Sequence, residues 1–296
     1  MVERVNPEWL YHKAHMSSTD AQSSSENHIE TSSPTGNVRP SFVRPLSIAF
    51  VLVALPLVIL AVVICAIVPV VPWWVGLVLG LVVAAVVVAN RFLRAHDVVV
   101  SRFRSGTSQS AGVERATNLL QSLSLASGMS EPNLQVAADP SRNAAIVRKG
   151  DTATVIVTSG LLDSADVMQM EGLVAQVLAR LKNGDAEWAT VSAALFGLPI
   201  LGTGLKGLLG PVARYAMDNG QSQDRDLQAD REAVALTRYP PGLLKALQLI
   251  EESPGTTASA ADGVEHLWIA APDSEPTAIS SDRASLELRI DALAEL

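Results

Sequence analysis

Cysteine is almost absent from this chain of 296 residues, and the single one, Cys65, leaves no partner for an intramolecular disulfide and no cysteine-built metal cluster. Basic excess is missing too. With 22 Lys+Arg against 30 Asp+Glu the net charge is -8, which removes the electrostatic footprint of a nucleic-acid binder. Histidine is sparse: His12, His15 and His28 fall in an N-terminal tail, His96 and His266 lie far apart, and none has helical ligand spacing within the folded part of the chain. No G-x-S-x-G elbow accompanies them, and GTGLKGLLG at Gly202 to Gly210 lacks the G-x-x-x-x-G-K-[ST] spacing of a phosphate loop. Charge itself disappears over the 46 residues between Arg44 and Arg91, of which 38 are apolar. That run excludes a purely soluble protein.

The run divides into two. Leu46 to Val68 reaches about 34 Å as a helix, enough for a hydrocarbon core of about 30 Å, and Trp73 to Ala89, extendable through Phe92 and Leu93, makes a second span after a short PVVP link. Trp73 and Trp74 fall at interfacial depth. Arg39 and Arg44 precede the hairpin, Arg91 and Arg94 follow it, and the turn carries no charge, so both termini are expected in the cytoplasm. A cleaved signal peptide fits less well, because the run is doubled and starts well into the chain.

Three parts are expected: a disordered cytoplasmic tail at 1–44, a transmembrane hairpin at 45–90 and a cytoplasmic domain at 91–296. The tail is rich in Ser, Thr, Asn, Gln and Glu, but Trp9, Leu10 and Tyr11 stand together as a possible docking element, or as stray aromatics of an unstructured terminus. After the hairpin the patterns predict helices over Val113 to Ser127 and Asp166 to Lys182, the latter stopped by Asn183 and Gly184, and strands over Leu134 to Ala137 and Ala153 to Thr158. Ala189 to Leu205 is a second uncharged run, either dipping into the bilayer surface or buried in the domain. Helices follow over Gln223 to Arg238, Pro241 to Glu252 and Ala284 to Leu296. The fold class is α+β, mostly helical, with a small sheet.

The order of these pieces is recognisable. The hairpin, NLQVAADPSRNAAIV, then TVIVTSGLLDSADVMQMEGLVAQVLARLKNGD, DLQADREAVALT and the terminal LELRIDALAEL together resemble the HtpX-like family of integral-membrane zinc metallopeptidases. The likeness covers most of residues 110 to 240 and the last helix. Thr158, Gly160, Leu161 and Leu162 match the family's T-x-G-L-L turn, and Ala229 and Asp230 match its E-x-x-A-D helix. In that family an H-E-x-x-H helix holds the metal, two histidines one turn apart binding Zn²⁺ and the glutamate activating water.

This chain departs from the pattern where the chemistry lies. Gln176 stands at the first histidine, Val177 at the glutamate, Arg180 at the second histidine and Asp226 at the third ligand. A carboxamide is a poor zinc ligand, valine moves no proton and a guanidinium repels a cation. The residues therefore predict no metal, no cofactor and no enzyme activity. Arg180 is expected either to pair with Asp226 or Asp230 in place of the metal or to point into solvent. What the resemblance then implies is a pseudopeptidase of the bacterial plasma membrane, an accessory or assembly subunit of a larger membrane complex, with a respiratory or quality-control setting as candidates. An adaptor that captures unfolded membrane-protein segments as a further strand beside Ala153 to Thr158 and hands them to an active protease is the alternative, and a zinc endopeptidase with a divergent site the third. Expected partners are membrane-protein subunits and the lipid bilayer, met through Trp9, Leu10 and Tyr11 and through the small-residue stripe Gly76, Gly80 and Ala84.

Overall fold

Two long helices open a computed structural model that describes residues 42–67, 72–103, 111–197, 223–253, 264–270 and 284–296. They are α1 (Val43–Ile67) and α2 (Trp73–Leu93), apolar and long enough to cross a membrane. Each leaves most of its Val, Leu and Ile side chains exposed, whereas Gly76, Gly80, Ala84 and Val88 of α2 are buried. The small-residue stripe therefore faces α1. A Cβ at Gly76 would lie 2.6 Å from the Ala61 carbonyl oxygen and one at Gly80 2.7 Å from the Val58 Cα, so the close approach expected with partner subunits is made inside the hairpin itself. The tail residues Trp9, Leu10 and Tyr11 lie outside the described residues.

Arg94 closes α2 and opens α3 (Ala95–Val100), whose Ala95 and Val99 are fully buried. Then come α4 (Ala111–Ser127), ended by Gly128 at φ 67°, and strands β1 (Asn133–Ala137), β2 (Ala144–Lys149) and β3 (Thr152–Thr158). The sheet order is β1-β3-β2, with β1 parallel and β2 antiparallel to β3, and Gly150 at φ 59° turns the hairpin between β2 and β3. The sequence expectation missed β2. It also placed a peptide-binding edge at Ala153 to Thr158, but that strand is central and paired on both sides. Beyond β2, Ile269 N–H donates to the Ala144 carbonyl at 2.7 Å and Trp268 bridges Ala145, so β1 is the less covered edge among the described residues.

The short α5 (Ser159–Ser164) leads to α6 (Val167–Lys182), which begins with a capping box: Gln169 N–H donates to Asp166 at 2.8 Å and Asp166 N–H to Gln169 at 2.9 Å. Asn183 caps it and Gly184, at φ 80°, opens α7 (Asp185–Ser192), which passes into a π-turn over Ala193–Gly197. From Ala189 to Leu195 the second uncharged run is buried in the protein, and its residues from 198 onward lie outside the described set. The last helices are α8 (Gln223–Thr237), α9 (Pro240–Glu251) and α10 (Leu286–Ala294).

The period of two in the strands divides the interior into two cores. Ala144, Ile146, Val155 and Val157 face one side and bury with α4, α6, α8, α9 and α10. Ala145, Val147 and Ile156 face the other and bury with α3, α7, Trp268 and the hairpin residues Ala49, Val53, Ala84 and Val88. At the foot of the hairpin Phe42 stacks on Trp188 at 5.7 Å and meets Phe92 edge-on at 5.8 Å, while Lys149 Nζ sits 3.7 Å from the Phe92 ring centre.

Candidate metal-site helices

α6 and α8 pack side by side and carry every residue that the sequence singled out for metal chemistry. Residues 176, 177 and 180 lie within four positions on α6, and Asp226, Ala229 and Asp230 share one buried face of α8. Gln176 is fully buried, and neither its amide oxygen nor its nitrogen has a hydrogen-bond partner among the described residues. Val177 is part of the first core. Arg180 is buried at 3% exposure, which overturns the solvent-facing alternative, and its Nη1 donates to the Leu267 carbonyl at 3.3 Å.

Asp230 is held by an arginine from a different helix. Its two carboxylate oxygens accept from Arg289 Nε and Nη2, both at 2.7 Å, and Arg289 Nη1 donates to the Ile269 carbonyl at 2.9 Å. Arg289 comes from α10 and is 1% exposed, so the C-terminal helix supplies the cation at this carboxylate. Sequence reasoning missed it because nothing in LELRIDALAEL says which distant carboxylate its arginine meets. A second pair lies nearby: Arg225 Nη1 donates to Asp185 Oδ1 at 2.6 Å. Burial raises the Asp185 carboxyl above the ordinary aspartate range, partly offset by the hydrogen bond and charge of Arg225 and by the charge of Arg180, while Asp226 pushes it further up. Asp185, Asp226, Arg180 and Arg225 thus feel one another as a charged cluster at the junction of α6, α7 and α8.

Zinc fits this donor set poorly. The orphaned Gln176 amide offers one weak oxygen, the Arg180 guanidinium brings a fixed positive charge to the same face, and among the described residues no three His, Cys, Asp or Glu converge. The histidines are engaged otherwise: His266, buried, donates from Nε2 to the Ala189 carbonyl at 2.9 Å, and His96 Nε2 meets Thr154 Oγ1 at 3.0 Å. His12, His15 and His28 lie outside the described residues.

Comparison with known proteins supports the resemblance. The chain is 33% identical to the Protease HtpX homolog of Dictyoglomus thermophilum over 162 residues, 46% of this chain and 54% of that protein. The chain is similar to the HtpX proteases. The Protease HtpX homologs of Tropheryma whipplei (29% over 188 residues, 53% of this chain and 63% of that one) and Listeria monocytogenes (24% over 238 residues, 67% and 78%) agree with it. This HtpX-like chain spans about half the length of the first curated relative it matches. No protein-family model and no solved structure matches it. The names of these relatives correct the expectation that the chain is not an enzyme: homologues called proteases point to a peptidase, and the donor set of one helix pair does not outweigh them. Together with the two apolar helices they mark a membrane protein.

Proposed function

We propose that this HtpX-like chain serves the turnover or assembly of membrane proteins as a subunit of a larger complex. It is held by a two-span hairpin in a bacterial plasma membrane, with both termini in the cytoplasm. The relatives' protease names support polypeptide as what the folded domain meets. The arginines flanking the uncharged run support the orientation. The observation that carries the reading is the shared core: Ala49, Val53, Ala84 and Val88 of the hairpin bury with Val147, Ile156 and Trp268 of the domain, which holds the domain firmly at the foot of its anchor. A second reading, capture of unfolded membrane-protein segments, is supported by β1, a sheet edge to which an extended chain can add.

The test is gentle detergent extraction of the full chain from its native membrane, mass spectrometry of what travels with it, and incubation of the same preparation with unfolded membrane proteins and fluorogenic peptides. Partners at fixed stoichiometry support the subunit reading, and a heterogeneous set of bound or cleaved clients supports the second. A chain that co-purifies with nothing, binds nothing and cuts nothing overturns both.

A further inference from the structure

The face of α6 that carries Leu178 and Lys182 is turned away from Gln176 and Arg180, since each residue along a helix rotates about 100°. There, between the C-terminal end of α4, α6 and α8, lies a pocket of about 350 Å³. Met129, Leu178, Ala235 and Leu236 give it apolar walls, and Lys182 and Glu232 are its charged lining. Gln228, one turn earlier on α8, donates from Nε2 to Glu232 Oε1 at 2.9 Å and so fixes the carboxylate. The other oxygen, Oε2, is buried and receives no hydrogen bond from the described residues. A carboxylate oxygen withdrawn from water without a donor carries a free-energy cost that an incoming cationic donor removes. Lys182 is exposed and forms no ion pair with Glu232 among the described residues, so one charge of each sign stands available at the pocket.

We propose that this pocket binds a small zwitterion with an aliphatic side chain, a free amino acid of about the size of leucine. Its ammonium donates to Glu232 Oε2, its carboxylate meets Lys182, and its hydrocarbon end rests on Met129, Leu178 and Leu236. The volume lies at the small end of ligand pockets, about 300 to 1,000 Å³, which favours such a ligand over a long peptide. The site is independent of the role proposed above.

The test is calorimetric titration of the full chain in detergent micelles with L-leucine. The controls are 4-methylpentanoate, which lacks the ammonium, and 3-methylbutylamine, which lacks the carboxylate. Saturable leucine binding is expected, weakened about tenfold or more for either control ligand and in Glu232→Gln and Lys182→Ala. Ala235→Trp, at an exposed position on the pocket wall, is expected to abolish binding while the thermal unfolding of the chain stays unchanged. No saturable leucine binding at millimolar concentration overturns the proposal, and so does leucine binding that Ala235→Trp and Lys182→Ala leave intact.

Discussion

Arg289 and Asp230 set the energetic stakes at the residue scale, because both charges are out of water and each is the other's compensation. Arg289→Ala leaves the Asp230 carboxylate buried without a cation and is expected to cost about 3 to 5 kcal/mol in denaturant unfolding, whereas Arg289→Met combined with Asp230→Leu costs far less. Gln176 is the opposite case. Its amide is buried with no partner among the described residues, so Gln176→Leu is expected to raise stability by about 1 to 3 kcal/mol, and a loss of stability in the same assay refutes the orphaned amide. Asp185 makes stability depend on pH. Its folded pKa is raised, so the folded state binds a proton more readily than the unfolded one, and its contribution is favourable at low pH and falls as pH rises from the ordinary aspartate range through the raised value. Asp185→Asn is expected to remove that downward slope from the stability profile. An unchanged slope, measured by denaturation at a series of pH values, places the titration elsewhere.

Elements depend on how closely their backbones approach. At Gly80 an added Cβ would stand 2.7 Å from the Val58 Cα, and backbone cannot yield as a flexible side-chain tip can. Gly80→Ala is therefore expected to part α1 and α2 and to lower the thermal stability of the micelle-bound chain by about 1 to 3 kcal/mol, while Ala at the open turn position Gly128 acts only through its positive φ. The spacing of Gly76, Gly80 and Ala84 was plain in the sequence, but its partner was not, because small residues suit any neighbouring helix equally. Periodicity located α6 to within one residue, since one buried face, an Asp166 cap and an Asn-Gly stop all agree there. It failed at β2. Ala144, Ala145, Ile146 and Val147 are buried on both faces, so they show no alternation, and a short apolar run without alternation carries no sign of being a strand. Without β2 in view, β3 reads as an edge.

For the whole molecule, the sequence displayed the parts of the candidate site but not their connections. Gln176, Arg180, Asp226 and Asp230 are all buried on α6 and α8, yet the ion pair at Asp230 comes from 59 residues away, a separation no local pattern encodes. The same holds for the union of hairpin and domain, which together fall in one unit from Pro40 to Leu296. Hydropathy marks the hairpin as a separate object, whereas packing makes it the lid of the second core: Val147, Ile156 and Val191 bury with α3 and the foot of the hairpin, and Phe42, edge-on to Phe92, stacks on Trp188. A chain beginning after Phe103 loses every one of those covering residues and exposes apolar surface on one side of the sheet, at about 25 cal/mol per Å² of lost burial. Residues 105 to 296 expressed alone are expected to aggregate, or to stay in solution without a cooperative thermal transition. A monodisperse fragment that unfolds cooperatively would show instead that the domain folds independently of its anchor, and would leave the shared core without the positional role assigned to it here.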